Sequence, residues 1–292
     1  KKIFLIFSLI FSSICIQAQG CSDAGICTLD NFQANTTDSI VFKNEFKIAS
    51  NIGFADNDVI VFGSYLEFKK RLSKGVDVDV KLNFFNQSAN GISSSALSDI
   101  YFVSNFKITT SIKGTAGIKI PLSNGNLKEN GNPLPMDFQP SLGTFDLLLG
   151  VSKNYKKYSF AFAYQQPLTQ NENQYFAPMN SKFITTNNFK RAGDLMFRAS
   201  KRYQINPNLT LSPGFLSIFH LDKDKFTDVA NNEQDIEGSD GLTINASGYL
   251  NYQLNQKSAL EFSLGFPLIV RKVRPDGLTR GLVANVEYKI KF

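Results

Sequence analysis

The chain has 292 residues, of which 42% are apolar and 13% aromatic, and its 31 Lys and Arg against 25 Asp and Glu give a net charge of +6. This length allows one large domain or two small ones, and 19% charged residues with so many aromatics exclude a disordered chain. The basic residues form no long run, so no nucleic-acid partner is predicted. Three Cys exclude a disulfide-dense scaffold, and the single His leaves little room for a multi-histidine metal site or a catalytic triad. We therefore predict no enzyme, no catalytic residue, no metal and no cofactor.

Residues 1–18 have the three parts of a secretory signal peptide. Lys1 and Lys2 form a basic head, residues 3–16 are almost entirely apolar, and Ala18 is a small residue at the exit. The apolar stretch is shorter than the about 20 residues that a membrane-spanning helix needs. Cleavage after Ala18 is predicted, and lipoprotein processing at Cys21 is the alternative.

Residues 19–37 precede the first strand pattern and are predicted to be a periplasmic segment. They contain Cys21 and Cys27. Because exported thiols usually oxidise, the favoured prediction is a small disulfide loop between them. A redox-exchanging or metal-holding pair with Asp23 is the alternative.

From residue 39 onward, apolar and polar residues alternate with a period of two. In residues 39–48, for example, Phe42, Phe46 and Ile48 alternate with charged side chains. Alternate side chains of a strand face opposite sides, so one face is apolar and the other polar. About twelve such segments occur, within residues 39–48, 60–69, 76–84, 99–108, 112–120, 145–152, 158–165, 194–202, 209–219, 242–254, 260–268 and 282–292.

Short and long connections alternate between these segments. The short ones lie near residues 73–75, 109–110, 154–156, 205–208 and 255–256, and the long polar ones near residues 50–57, 88–96, 121–142, 167–190, 221–239 and 271–277. This arrangement is typical of outer-membrane barrels. Residues 38–292 are therefore predicted to form an all-β, antiparallel up-and-down transmembrane β-barrel of about 12 strands. Its turns would be short and periplasmic, its loops long and extracellular, and its apolar face would contact lipid.

The last strand pattern places Tyr288, Ile290 and Phe292 at alternate positions. It resembles the C-terminal signal of outer-membrane barrels that the barrel-assembly machinery reads. The predicted location is the outer membrane of a Gram-negative bacterium, with both termini periplasmic. Outer-membrane lipid and lipopolysaccharide are then the surrounding partners.

The polar faces of the strand patterns predict a lumen lined by charges of both signs. Basic and acidic residues are nearly balanced there, so we expect cross-strand ion pairs and a narrow channel with at most a weak preference for anions. The predicted pore-lining residues are Lys43, Glu45, Lys47, Asp79, Lys81, Asp99, Asp146, Asp194, Arg198, Arg202, Glu261 and Glu287.

His220 and the acidic loop that follows it are the remaining candidates for chemistry. Ser217 lies three residues before His220 and so on the opposite strand face, which disfavours a lipid hydrolase. A rim histidine capped by its own loop is predicted instead. Residues 221–239 carry six carboxylates that could hold Ca²⁺, but their spacing matches no known calcium loop, and a solvated loop is favoured.

Four segments resemble a known family. They are SLGTFD (residues 141–146), SIFHLDKD (217–224), GSDGLTIN (238–245) and RPDGLTR (274–280). They look like segments of a group of outer-membrane barrel transporters similar to the meta-pathway phenol-degradation barrels and, more distantly, to fatty-acid-transporter-like barrels. The resemblance implies a barrel that passes small molecules across the outer membrane. No N-terminal plug is expected, and long-chain fatty acid uptake is not predicted.

The predicted function is passive passage of a small-molecule solute through a narrow charged lumen. One alternative is a lateral-exit transporter of hydrophobic or aromatic compounds, with a break in the wall at Pro213-Gly214 or at residues 265–267. Another is a barrel without a channel that docks a periplasmic partner through its N-terminal Cys segment.

Overall fold

The computed structural model describes Leu29, Phe32, residues 42–277 and residues 280–292. The predicted signal peptide and the Cys21 and Cys27 pair lie outside these residues. The cleavage site and the disulfide therefore stay predictions.

Twelve strands in up-and-down order form one closed antiparallel barrel. Each strand pairs with its neighbours in the chain, and β1 pairs with β12 to close the sheet. The strands are β1 Asn44–Ala55, β2 Ile60–Ser73, β3 Val76–Ala89, β4 Ile92–Lys107, β5 Ile112–Pro121, β6 Asp146–Tyr155, β7 Tyr158–Pro167, β8 Asp194–Lys201 with its continuation Tyr203–Asn206, β9 Leu209–His220, β10 Gly241–Gln253, β11 Ser258–Ile269 and β12 Arg280–Lys291. The predicted fold is confirmed.

Burial along the strands shows which face each side chain takes. On β2, Ile60, Phe62 and Leu66 are exposed, whereas Tyr65 and Glu67 are buried. A soluble barrel would show the opposite pattern, because its apolar face would be its core. Exposed Phe, Leu, Ile or Val side chains occur on eleven of the twelve strands, and on β3 the apolar side chains of the same face are half-buried, so the outer surface is an apolar belt and the charges face inward. Among the described residues, no helix is long and apolar enough to cross a bilayer.

Two of the predicted long loops are short. β3 and β4 are joined by Asn90 and Gly91 alone, with φ of 51° and 84°. Asn-Gly is the preferred pair for a two-residue hairpin because both residues take positive φ without much strain. β1 continues to Ala55, and a single turn at Asp56–Asp58 leads to β2. The predictions of long loops near residues 50–57 and 88–96 are therefore wrong.

The other long connections fold over one end of the barrel. We call residues 122–145, 168–193, 221–240 and 270–277 the loop cap. One of its buried clusters contains Met136, Leu142, Phe189 and Ile236, so it draws on three of these segments. A second cluster joins Phe138 to Val61 of β2. The opposite end, which we call the terminal end, holds the start of β1 and the end of β12, where Asn44 and Phe292 exchange two backbone hydrogen bonds of 2.9 and 3.0 Å.

Leu29 and Phe32 lie inside the barrel. They pack in a buried cluster with inward-facing side chains of β4 and of β6 to β9: Tyr101, Val103, Leu148, Ala161, Ala163, Met196, Leu216 and Ile218. Phe32 is 1% exposed. The strand patterns of the sequence do not indicate this position for either residue.

The orientation of the apolar belt gives a first testable prediction. Leu66 is exposed at the middle of β2, so replacing Leu66 with Arg should lower the free energy of unfolding from lipid by about 2–4 kcal/mol, because a charge enters the hydrocarbon. The same change at Leu72, near the turn at the strand end, should cost about 1 kcal/mol or less. Urea titration in vesicles measures both. Equal effects, or a wild-type monomer that dissolves without detergent, would contradict the membrane orientation.

Candidate functional site in the barrel lumen

Most of the predicted pore-lining residues are buried on the inner face. Lys47, Asp79, Lys81, Asp99, Asp146, Asp194, Arg198, Glu261 and Glu287 are all less than a tenth exposed. Three others lie nearer the terminal end of the barrel. The side chain of Glu45 is 16% exposed, Arg202 is half-buried between the two parts of β8, and Lys43 is exposed just before β1. Lys43 is thus at the rim and not inside.

Ion pairs join neighbouring strands at the terminal end of the lumen. Lys47 Nζ lies 3.0 Å from Glu67 Oε1 and 3.5 Å from Glu45 Oε1. Lys289 Nζ lies 3.3 Å from Glu261 Oε2 and 3.1 Å from Glu287 Oε1. Removing a charge from water costs several kcal/mol unless a counter-charge is close. The predicted cross-strand network is therefore what makes so many buried charges tolerable.

A second group of paired charges lies toward the loop cap. Lys119 Nζ contacts Asp146 Oδ2 at 2.9 Å, with both side chains at most 1% exposed. Thr144 donates to Asp146 at 2.6 Å, and Gln165 donates to its other oxygen. Asp99 accepts hydrogen bonds from Ser98 and Ser141 at 3.0 and 2.6 Å. On the wall of β3, Asp79 accepts from Asn105, and the Lys81 ammonium lies 3.8 Å from the centre of the Tyr65 ring.

The inner wall of β4 and of β6 to β9 is different, because apolar side chains dominate it at mid-height. Phe32 packs against this wall over Gly150, where an added Cβ would collide with the Phe32 ring. Arg198 is the charged residue beside it. Its Nη1 donates to the Phe32 carbonyl at 3.1 Å and to the Tyr249 hydroxyl at 2.9 Å.

A buried ionic cluster ties the loop cap to the barrel rim. Asp194 of β8 and His220 of β9 are the members from the barrel. The members from the loop cap are Arg191 after β7, Asp224 after β9, and Arg271 and Asp276 after β11. His220 Nδ1 lies 2.7 Å from Asp194, and its Nε2 lies 2.8 Å from Asp224 of its own loop. The rim histidine is therefore capped by its own loop, as the sequence suggests. Burial lowers the pKa of the Arg191 guanidinium, but Asp194, Asp276 and Asp224 outweigh it and hold that pKa above its ordinary value.

The acidic loop after β9 neutralises its charges with its own lysines. Lys225 pairs with Glu233 at 2.8 Å and Lys223 with Glu237 at 2.7 Å. Asp228 accepts backbone hydrogen bonds from Ala230 and Asn232. Within residues 42–277 and 280–292, no group of His, Asp and Glu has a geometry suited to a metal ion.

The segments that carry the family resemblance hold the cap in place. Gly277 has a φ of 65° and packs directly against the backbone of residues 136 and 137. Arg274 donates to both oxygens of Asp56, at 2.8 and 2.7 Å. Ser239 donates to the Ile236 carbonyl and accepts from the Asp224 amide. These residues of the four segments therefore help to hold the loop cap on the barrel.

Asp137 of the cap is a buried carboxyl beside a surface cavity of about 680 Å³. Burial raises the pKa of Asp137 to about 7, and the carboxylates of Asp56 and Asp276 add to the rise, while a hydrogen bond from Asn57 opposes it. The cavity is also lined by Phe54 and Leu282 of the outer belt.

Sequence reasoning missed Phe32, Arg191, Arg271 and Asp276 as residues of the interior. Arg191 and Asp194 are three positions apart, a local signal that could have suggested a pair. The contacts of Phe32 with β6 to β8 span more than a hundred residues, and nothing in the local pattern around residue 32 indicates them.

Three solved structures are similar to this barrel. An outer membrane channel from Pseudomonas putida F1 matches with a TM-score of 0.60 and 12% identity, over 90% of this chain and 100% of that chain. The CymD monoaromatic hydrocarbon channel matches with a TM-score of 0.49 and 9% identity, over 94% of each chain. The toluene transporter TbuX from Ralstonia pickettii gives 0.45 and 10%, over 92% of this chain and 93% of that one. The first of these shows that the chain has the fold of an outer-membrane barrel.

No protein-family model and no curated protein sequence matches the chain.

The Lys119–Asp146 pair provides a test of the luminal network. Lys119→Met should lower the free energy of unfolding by about 3–5 kcal/mol, because it leaves a buried carboxylate without its counter-charge. The double variant with Asp146→Asn should recover most of the loss. Lys182→Met is the matched control, since its pair with Asp58 is 70% and 82% exposed and should change stability by about 0.5 kcal/mol at most. A single variant as stable as the control would mean that water reaches the pair.

Asp137 predicts a pH dependence of the loop cap. The pKa of Asp137 in the folded protein lies above the ordinary 3.8. Its contribution to the free energy of unfolding is therefore fully present below about pH 4 and is lost as the pH rises through about 7. The loss is on the order of 4 kcal/mol. Hydrogen exchange of the amides of residues 122–145 should therefore show weaker protection at pH 8 than at pH 5, relative to Asp137→Asn.

Asp58→Asn is the control for this experiment, since Asp58 is an exposed carboxyl of the same region. A pH response that persists in Asp137→Asn, or that disappears in Asp58→Asn, would assign the effect to another group.

Proposed function

We propose that this chain is an outer-membrane channel of a Gram-negative bacterium that passes small solutes by diffusion through a narrow charged lumen. The observation that carries the proposal is the closed barrel with an apolar outer belt and charges of both signs inside. Its fold, shared with an outer membrane channel, supports the same conclusion. The short-turn end with both termini would face the periplasm, and the loop cap would face the exterior.

Selection in such a lumen comes from width and from the electric field. Many inward-facing charged side chains, such as Lys47, Lys119 and Asp194, are almost inaccessible to water. A lumen this full admits only small solutes and passes them slowly. Because lysines and carboxylates are interspersed on the polar side of the wall, the electric field at each point of the passage would depend on the nearest charged side chains.

The partners in this proposal are those of an outer-membrane barrel. Outer-membrane lipid and lipopolysaccharide would surround the apolar belt. The barrel-assembly machinery would read the last strand, where Ile290 and Phe292 are exposed on the outer face of β12 and Tyr288 is half-exposed beside them. No nucleic-acid partner is proposed.

Passage of hydrophobic or aromatic compounds is the second candidate function, and the apolar inner wall around Phe32 favours it. At Pro213-Gly214, β9 pairs with β10 without a break, but its pairing with β8 stops at Gly214 and resumes at Leu211. Residues 265–267 pair with β10 in regular register, and the β10–β11 register shifts only between Pro267 and Ile269, whereas β11 pairs with β12 only as far as Gly265. The scaffold alternative depends on Cys21 and Cys27, which lie outside the described residues.

The charge of the lumen can be tested with Asp79→Asn and Lys81→Gln. These two residues are adjacent on the inner face of β3 and of opposite charge. In planar bilayers under a salt gradient, Asp79→Asn should shift the reversal potential toward anion selectivity, and Lys81→Gln toward cation selectivity. Lys156→Gln, at an exposed turn, should leave it unchanged. A wild-type protein that inserts but never conducts would overturn the channel and favour the scaffold.

A further inference from the structure

Phe32 fills a niche in the inner wall that is shaped for one aromatic ring. We call this the Phe32 niche, and its wall is formed by Leu148 and Gly150 of β6, Ala161 and Ala163 of β7, and Met196 of β8. The ring lies directly over Gly150, and any side chain there would collide with it. A run of glycine and alanine on neighbouring strands therefore leaves a hollow that Phe32 occupies almost completely out of water.

One end of the niche is polar. Arg198, on the inner face of β8, donates from Nη1 to the carbonyl oxygen of Phe32 at 3.1 Å. The same nitrogen donates to the Tyr249 hydroxyl of β10 at 2.9 Å, and the guanidinium lies 5.7 Å from the centre of the Tyr249 ring. The guanidinium is thus held at a fixed place beside the hollow. A molecule whose ring fills the hollow can therefore accept a hydrogen bond from it through an attached oxygen.

Phe32 presents to this site a ring, two linking carbons and a carbonyl oxygen. That sequence of groups is the skeleton of a 3-arylpropanoate, in which a carboxylate replaces the backbone carbonyl. An ionised acceptor forms a shorter and stronger hydrogen bond with a guanidinium than a neutral one does. The carboxylate of a 3-arylpropanoate would therefore bind Arg198 more strongly than the Phe32 carbonyl does, while the ring contacts stay the same.

We propose that the Phe32 niche is a luminal binding site for small arylalkanoates, the aromatic ring on Gly150 and the carboxylate on Arg198, and that Phe32 occupies the place of the solute. This inference rests on the proposed channel, because it names the solute class that the lumen would select. It also accounts for Arg198, a cation beside the apolar cluster of this wall, since burying the charge of the solute requires a nearby counter-charge.

The test is binding of 3-phenylpropanoate to the full-length protein in detergent, measured by isothermal titration calorimetry. Phe32→Ala should tighten binding by about tenfold or more, because the niche is then open to the solute without competition. Phe162→Ala is the matched control, since Phe162 lies on the same wall but on the outer face. Propylbenzene, which lacks the carboxylate, and propanoate, which lacks the ring, should each bind at least about tenfold more weakly to Phe32→Ala.

Two further variants in the Phe32→Ala background separate the two ends of the site. Arg198→Met should weaken 3-phenylpropanoate by about tenfold or more and leave propylbenzene unchanged. Gly150→Leu should abolish binding of both, because the side chain fills the ring position. Gly248→Leu is its control, as a barrel glycine with open space around it. The heat-dependent shift of gel mobility shows whether each variant is folded. If Gly150→Leu does not fold, Ala161→Leu replaces it.

Equal affinity of wild type and Phe32→Ala, or binding that survives Gly150→Leu, would overturn the niche. Permeation into vesicles is measured separately. Binding without permeation would contradict the proposed channel while leaving the niche intact. Permeation of 3-phenylpropanoate without binding at the niche would contradict this inference alone.

Discussion

Pairing of β1 with β12 is the contact on which the rest of the molecule depends. In lipid, an unpaired backbone N–H or C=O has no water to bond, so a sheet survives there only if it has no edge. Here the register runs from Glu45 and Lys291 to Ala55 and Arg280, and the backbone groups of Asn44 and Phe292 extend it. Once the sheet is closed, every strand has one face toward lipid and one toward a confined interior.

Closure explains why the charges lie inside and why they are paired. The outer face must be apolar over its whole height, which leaves the polar half of each strand no place except the lumen. Directly opposite side chains of neighbouring antiparallel strands lie about 5 Å apart, so lysines and carboxylates at paired positions come within ion-pair distance, as Lys47 does with Glu67 and Lys119 with Asp146. The density of the network therefore follows from the strand register, and the narrowness of the lumen from the strand count.

The sequence predicted what depends on local alternation and missed what depends on distant contacts. Period-two patterns located all twelve strands and the inner or outer face of Asp79, Arg198 and Glu287. Asn90-Gly91 is also a local signal, since it favours a two-residue hairpin. The polar residues next to it, at the end of β3 and the start of β4, nevertheless led to the prediction of a long loop. Other contacts join segments that are far apart in the chain, and no short sequence pattern encodes them. They are the ionic cluster around Arg191 and Asp276 and the packing of Phe32 against Gly150.

The lumen is polar on one side and apolar on the other, and this asymmetry constrains what can use it. From β10 through β12 to β3 the inner face carries Glu261, Lys289, Lys47 and other charges, whereas at mid-height β6 to β9 present Leu148, Met196 and Leu216. A fully polar ion would find no partner on the apolar side, and a pure hydrocarbon would face desolvated charges on the other. A solute with an apolar body and one charged end matches both walls at once, and Phe32 with its carbonyl on Arg198 already has that form.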